Sequence, residues 1–199
     1  MKRRTFLSAG SAGLVGVTGL SLGALSLAGC TTTGPDATSD KAAKRREIDA
    51  GATDTLNRLY SSVRGSQELA NRSRGILVFP KLLSAGFVVG GEYGDGVLRS
   101  GGANRGYYRA ISGSLGWQIG AQSKAFILMF MTQDAYQKFV NSSGWTVGAD
   151  ATVALATIGA NGQLDTNTAQ QPIVGFALTN AGLMAGLSVE GTKISKLDI

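Results

Sequence analysis

Residues 75–98 read GILVFPKLLSAGFVVGGEYGDGVL, and this stretch decides the fold of the chain. An apolar run at 76–79 is closed by Pro80, and a second apolar run at 87–89 leads into a series of glycines. Short apolar runs bounded by proline and glycine are typical of paired β-strands. The pattern predicts two short strands joined by a turn at Pro80 and Lys81, followed by a glycine-rich reversal of the chain. Because glycine has no Cβ, strands at this point can bend sharply or pack closely.

Beyond this stretch the sequence alternates with a period of two, which is typical of strands with one buried face. Apolar residues alternate with small or polar ones through 114–122, 146–155 and 183–190. Residues 125–131 are apolar throughout, which predicts a central strand buried on both faces. The apolar spans 173–178 and 182–189 predict a closing pair of strands.

Helical periodicity is found in a few segments. Apolar residues three and four apart predict a helix over 41–63, which Asp40 is placed to cap. A shorter helix is expected over 66–74, and a third over 133–141 with Thr132 as its cap. The predicted fold class is therefore α+β. In this fold, N-terminal helices pack on a strongly curved, mostly antiparallel, glycine-rich β-sheet or half-barrel, and one further helix lies near 133–141.

The N-terminal segment carries the pattern of an exported lipoprotein. Basic residues at 2–4 precede a charge-free span, and its apolar part at 14–28 has about the length of a signal-peptide core. That core ends in Leu27-Ala28-Gly29-Cys30, the pattern at which a bacterial lipoprotein is cut and its cysteine acylated. Residues 1–29 are therefore predicted to be a lipoprotein signal peptide, with Cys30 as the lipidation site. The paired arginines also fit a twin-arginine export signal. The alternative is that Cys30 is a free thiol buried in an N-terminal helix.

Three segments are predicted along the chain. The signal peptide at 1–29 is followed by a flexible polar tether at 30–40 and by a single domain at 41–199. Since Cys30 is the only cysteine, no disulfide bond can form within the chain. Thr31 follows the cysteine in place of an aspartate, which resembles the sorting signal of outer-membrane lipoproteins. The domain is therefore expected at the outer membrane, facing the periplasm.

The composition restricts the chemistry open to the chain. It has no histidine, and its one cysteine is assigned to the lipid, which excludes Ser-His-Asp and Cys-His catalysis and most transition-metal and haem sites. Glu92 and Asp95 could form the carboxylate pair of a hydrolase, but we favour an interpretation in which both face solvent at a strand turn. Residues 90–96 lack a G-x-G-x-x-G motif, so a glycine hairpin is favoured over a nucleotide loop. We predict no enzyme activity, cofactor, metal or nucleic-acid partner.

Several motifs resemble the signature of one known family. They are GILVFPK at 75–81, AGFVVGG at 85–91, YG at 93–94, GVL at 96–98 and GSLGWQIGAQ at 113–122. In this order and spacing they resemble the SYLF-domain family, which includes eukaryotic phosphoinositide- and actin-binding proteins and many bacterial lipoproteins. The resemblance implies affinity for anionic phospholipid through phosphoinositide-like headgroups. An actin-binding role is not expected in a bacterial envelope.

Basic charge is concentrated beside the predicted lipid anchor. Between Lys41 and Lys81 there are nine basic and four acidic side chains, a local net charge of +5. Anionic headgroups attract such a segment by roughly 1 kcal/mol for each Lys or Arg near the surface. The candidate headgroup-binding residues are Lys44, Arg45, Arg46, Arg72, Arg74 and Lys81. The first functional hypothesis is therefore a non-enzymatic envelope lipoprotein that binds anionic phospholipid.

The alternative hypothesis is a structural or scaffolding lipoprotein that binds another envelope protein. In that case Tyr107, Tyr108 and Trp145 are expected at the surface as the aromatic anchors of an interface. The basic cluster would then be incidental to function.

Overall fold

The computed structural model describes residues 37–85, 89–115, 123–157, 164–179, 182–184 and 189–199. The predicted signal peptide, Cys30 and most of the predicted tether lie outside these residues, so the predictions for them stay predictions. Parts of three predicted strands, 87–88, 116–122 and 185–188, also lie outside the described residues.

The described residues form both helices and strands. The helices are α1 (Ala37–Ser62), α2 (Ser66–Arg72), α3 (Gln133–Asn141) and α4 (Thr166–Ala169). The longer strands are β1 (Gly75–Ala85), β2 (Val89–Ser100), β3 (Ala103–Leu115), β4 (Ser123–Phe130), β7 (Ile173–Thr179) and β9 (Lys193–Leu197). Three strands of two residues each complete the sheet: β5 (Trp145–Thr146), β6 (Ala154–Leu155) and β8 (Gly182–Leu183).

One curled sheet contains all of the described strands. Its order is β5-β9-β3-β2-β1-β4-β7-β6, with β8 paired to β7 outside this path. The neighbours are antiparallel except β6 and β7, which are parallel. A bridge between Val147 and Ala151 connects the chain just after β5 to the chain just before β6, so the two ends of the sheet approach each other. The predicted α+β fold with a strongly curved, mostly antiparallel sheet is confirmed.

The first hydrophobic core lies between α1 and one face of the sheet. The apolar stripe predicted for the helix is buried there: Ile48, Ala52, Leu56, Leu59 and Val63. It packs on alternate residues of four strands, including Val78, Val97, Ile127 and Phe176. Burying each large side chain stabilises the fold by about 1.5–3 kcal/mol. Hydrophobic burial therefore holds α1 on the sheet over most of its length.

The second core fills the opposite face and is rich in aromatic rings. Phe130 and Phe139 lie with ring centroids 4.9 Å apart, and Trp145 meets Phe139 edge-on at 5.5 Å. Helix α3, which supplies Phe139, begins and ends where the sequence predicts. Its cap is Thr132, whose side-chain oxygen accepts a hydrogen bond from the backbone N–H of Ala135 at 3.2 Å. The prediction of a central strand buried on both faces is confirmed for β4, where residues 125–130 are buried.

The predicted turn at Pro80 and Lys81 is wrong. Strand β1 runs through both residues, and its pairing with β2 shifts register between Val78 and Leu83. Proline has no N–H to donate, and such an irregularity is where a strand accommodates it. Proline gives the same local signal in a turn and in a β-bulge, so the sequence around Pro80 does not distinguish the two.

The predicted glycine-rich reversal is also wrong in position. The chain reverses at Gly101 and Gly102, whose φ angles are 60° and 77°, while 90–96 lies inside β2. A Cβ on Gly94 or Gly96 would overlap backbone carbonyl oxygens of β1. These glycines therefore allow two strands to pack closely, which the sequence predicts, but they do not form a hairpin.

Two further boundaries differ from prediction. The strand expected over 146–155 is divided into β5 and β6 by a turn that contains Gly148, whose φ angle is 88°. In that turn the Asp150 carboxylate accepts a hydrogen bond from the Thr146 N–H at 2.6 Å. Helix α1 begins at Ala37, so Asp40 lies in its first turn and does not cap it.

Candidate functional site

Helix α1 crosses the sheet and leaves a groove along one side. Its first half contacts β2 and β3, while Ser62 near its end lies beside Thr179 and Gly182. The groove has a volume of about 510 Å³ and lies between α1 and strands β1 and β2. We call it the α1 groove; its apolar floor is Ile48, Pro80, Leu83 and Tyr93, and its charged rim is Lys44, Glu47, Asp54, Arg58, Lys81 and Asp95.

Asp95 on β2 joins α1 to β2 and β3 at one end of the α1 groove. Its carboxylate accepts hydrogen bonds from Arg109 Nε at 2.7 Å and Nη2 at 3.0 Å, and it pairs with Lys44 Nζ at 2.6 Å. Burial disfavours the charged carboxylate, but the hydrogen bonds from Arg109 and Lys44 outweigh burial and hold the pKa of Asp95 below its ordinary value. The charge of Lys44 is therefore already used within the protein.

A second polar contact fixes the first half of α1. The carboxylate of Asp49 accepts hydrogen bonds from Asn104 Nδ2 at 2.9 Å and from the Tyr107 hydroxyl at 3.0 Å. Burial and the neighbouring carboxylate raise the pKa of Tyr107, which keeps its hydroxyl protonated as the donor. Arg45 lies over the Tyr107 ring, 5.9 Å from its centroid, and donates to the main-chain oxygen of Ile199.

Glu92 and Asp95 do not form a carboxylate pair. They are three residues apart in one strand, and so their side chains point to opposite faces of the sheet. Glu92 is only 8% exposed and pairs with Lys124 Nζ at 2.8 Å, on the face away from α1. The expectation that both acids face solvent at a turn is wrong, because the residues around them continue as β2. The two-carboxylate hydrolase site is contradicted for the same reason.

The predicted headgroup-binding residues are distributed over several places. Lys44 and Lys81 both line the α1 groove, whereas Arg45 is engaged with Tyr107 and Ile199. Arg72 lines a separate groove that also contains Arg64, Glu68 and Leu69. The structure thus brings Lys44 and Lys81 together at one groove and places Arg72 in another.

Four of these cations have no side-chain partner among the residues that the structure describes. Arg46, Arg72, Arg74 and Lys81 are exposed, and within the described ranges their side chains make no ion pair or hydrogen bond. Their charges are available to a ligand or a surface, in contrast to those of Lys44 and Arg45.

The predicted aromatic anchors are mostly buried. Tyr108 and Trp145 are 3% and 2% exposed and belong to the second core, so the expectation that they lie at the surface is wrong. The exposed large apolar side chains in the described part of the chain are Tyr93 at 49% and Ile111 at 51%, which face each other across β2 and β3. Sequence reasoning missed them because their exposure depends on which strand positions α1 leaves uncovered.

Among the residues that the structure describes, no helix is both long enough and apolar enough to span a membrane.

Comparisons with known proteins give a consistent result. Residues 111–198 match the family described as Ysc84, Las17-binding protein actin regulator. Two curated relatives are "LAS seventeen-binding protein 3" from Saccharomyces cerevisiae strains YJM789 and ATCC 204508 / S288c. Each is 28% identical over 134 residues, an alignment that covers 64% of this chain and 29% of the relative. The chain therefore spans less than a third of the length of these relatives.

Proposed function

We propose that this chain is a member of the SYLF-domain family, as its matches support, and that it is a binding module for anionic phospholipid and not an enzyme. The observation that carries the proposal is the group of exposed cations that make no ion pair or side-chain hydrogen bond to any described residue: Arg46, Arg72, Arg74 and Lys81. Arginine suits phosphate because its planar guanidinium donates two parallel hydrogen bonds. Phosphoinositide-like headgroups, which carry several phosphates, are the type of ligand that such a group favours.

The predicted lipid anchor supports the same proposal. From Cys30 to Ala37, where α1 begins, an extended chain spans at most roughly 25 Å. If Cys30 is acylated, the start of α1 stays within that distance of the bilayer. The tether therefore allows the basic segment from Lys41 to Lys81 to approach the bilayer within the Debye length of about 8–10 Å over which anionic lipid attracts it. We propose an outer-membrane lipoprotein whose domain faces the periplasm.

Vesicle co-sedimentation of a chain that begins at Pro35 tests the proposal without the contribution of Cys30. Residues Pro35–Ile199 form one unit by their own contacts. The variant Arg72→Gln with Arg74→Gln is expected to bind anionic vesicles about 25-fold more weakly, since each arginine contributes roughly 1 kcal/mol.

The matched control is Lys196→Gln with Lys138→Gln, which removes the same charge from exposed positions on β9 and α3. Retained binding by the control, with loss in the arginine variant, supports the proposal. Equal loss in both variants would mean that net charge acts without a site, and no binding by the wild-type domain would overturn the proposal.

A protein partner in the envelope is the second candidate, and one observation favours it. Tyr93 and Ile111 form an exposed apolar pair on the sheet, as interface anchors do. The yeast relatives are also named for binding another protein. Capture of the same envelope protein by the wild type, with loss on Ile111→Asp and not on Lys138→Asp at an exposed position on α3, would support this candidate.

A further inference from the structure

The floor of the α1 groove is apolar and open to solvent. Ile48 is buried beneath it, Pro80 and Leu83 are partly exposed, and Tyr93 is about half exposed. A volume of about 510 Å³ lies within the usual range for sites that hold a small molecule. Covering such a floor with hydrocarbon removes apolar surface from water, which favours a ligand with an acyl chain.

The rim carries free charges of both signs. Glu47 and Asp54 on α1 are exposed and make no ion pair within the described residues. Arg58 and Lys81 are likewise exposed and unpaired in that part of the chain. Asp54 and Arg58 are one helical turn apart, a spacing at which ion pairs form, but no ion pair joins them. Two carboxylates and two cations are thus available beside one apolar floor.

This combination selects among amphiphiles by charge. A phosphate suits Arg58 and Lys81, while Glu47 and Asp54 repel a headgroup that is only anionic. A primary ammonium in the same headgroup would instead pair with the two carboxylates and donate hydrogen bonds to them. A neutral lipid would leave all four charges unused. The complementary ligand has a phosphate, a primary ammonium and at least one acyl chain.

We propose that the α1 groove binds an aminophospholipid of the phosphatidylethanolamine class. Arg58 and Lys81 hold its phosphate, Glu47 and Asp54 hold its ammonium, and Leu83 and Tyr93 contact the first part of an acyl chain. The inference rests on the proposed function only in that the ligand is a phospholipid. Lys81 belongs both to this site and to the group of exposed cations proposed to bind anionic lipid, whereas Arg72 and Arg74, which the vesicle experiment removes, do not line the α1 groove.

Photo-crosslinking of the full chain in phosphatidylcholine nanodiscs tests the proposal. Three probes with the same diazirine-bearing acyl chain are compared: phosphatidylethanolamine, phosphatidylglycerol and phosphatidylcholine. Labelled peptides are identified by mass spectrometry. We expect the phosphatidylethanolamine probe to label the β1 or β2 peptides that contain Leu83 or Tyr93 more strongly than the other two probes do. Equal or stronger labelling there by either of the others, or labelling of other peptides only, would overturn the assignment.

Charge variants give an independent result. Glu47→Gln with Asp54→Asn should lower labelling by the phosphatidylethanolamine probe about fivefold, to the level of the other probes. Asp134→Asn with Glu190→Gln makes the same charge change at exposed positions outside the groove and should leave labelling unchanged. Unchanged labelling in the groove variant contradicts the proposal, and circular dichroism confirms that each variant is folded. Binding to anionic vesicles and labelling of the α1 groove are measured separately, and either can fail while the other succeeds. Failure of the proposed function is therefore distinguishable from failure of the groove proposal.

Discussion

At the scale of single residues, Asp95 shows how one side chain fixes a helix to a sheet. Its carboxylate is 13% exposed and holds a guanidinium from β3 and an ammonium from α1 at the same time. Removing the carboxylate leaves both cations without their partner in a partly buried place. The cost of breaking such an arrangement exceeds that of an exposed ion pair, which is about 0–1 kcal/mol.

We predict that Asp95→Asn lowers the free energy of unfolding by about 2 kcal/mol at pH 7. The pKa of Asp95 in the folded protein is below the ordinary value of 3.8. The stability that its carboxylate contributes is therefore fully present above about pH 3.8 and is lost as pH falls through the folded-state pKa. The difference between variant and wild type should therefore narrow on acidification. Urea unfolding at pH 7 and at successively lower pH measures it.

The control for this prediction is Asp134→Asn, whose carboxylate is exposed on α3 and paired one turn along the helix. Its effect at pH 7 should be below about 0.5 kcal/mol. A gap between Asp95→Asn and wild type that stayed constant with pH would count against the proposed role of the carboxylate.

At the scale of elements, the pairing of β1 with β2 depends on residues that have no side chain. Gly96 lies opposite the β1 backbone, and a Cβ there would meet the Val78 carbonyl and the Phe79 ring. A Cβ added to Gly113 on β3 would meet no atom within 4 Å. Two glycines in neighbouring strands thus differ in what they contribute to packing.

Gly96→Ala should destabilise the fold by about 3 kcal/mol, because the added methyl group forces the two strands apart. Gly113→Ala should change stability by less than about 0.5 kcal/mol, or stabilise slightly by reducing the freedom of the unfolded chain. Thermal unfolding of both variants beside the wild type makes the comparison. A Gly96→Ala variant as stable as Gly113→Ala would show that close packing of these strands is not required.

Elements that are specified by local periodicity could be predicted from the sequence. The stripe of α1, the bounds of α3 with Thr132 as cap, and the buried run of β4 are all properties of neighbouring residues. The positions of the turns could not be predicted in the same way. Pro80 and Gly94 are read locally as turn residues, whereas their role is decided by how β1 packs on β2.

The candidate site was less predictable than the fold. The sequence indicates that Lys44 and Lys81 are candidate cations. Only the crossing of α1 over the sheet shows that they line one groove and that Lys44 is paired with Asp95. Likewise, the face of the sheet on which Glu92 lies is known only because β2 continues through its glycines. Composition indicates which charges exist, and tertiary structure decides which of them are free.

At the scale of the whole molecule, the proposal combines an acylated N-terminus with a domain that meets lipid. Replacing the predicted lipidation site, Cys30→Ser, should abolish acylation and processing at this position. Intact-mass spectrometry of protein purified from membranes would show the loss of the acyl mass and retention of residues 1–29. An unmodified, unprocessed wild-type chain would contradict the predicted anchor while leaving the fold unaffected.

The central claim is that exposed cations on α1, α2 and β1 and between α2 and β1 bind anionic phospholipid. Its most direct test uses the wild-type domain from Pro35. Its association with vesicles is measured as the phosphatidylglycerol fraction in phosphatidylcholine rises, at low and at high salt. The account predicts affinity that increases with the anionic fraction and falls steeply when salt shortens the Debye length to about 3 Å. Affinity that is absent, or is the same at every lipid composition and salt concentration, would contradict it.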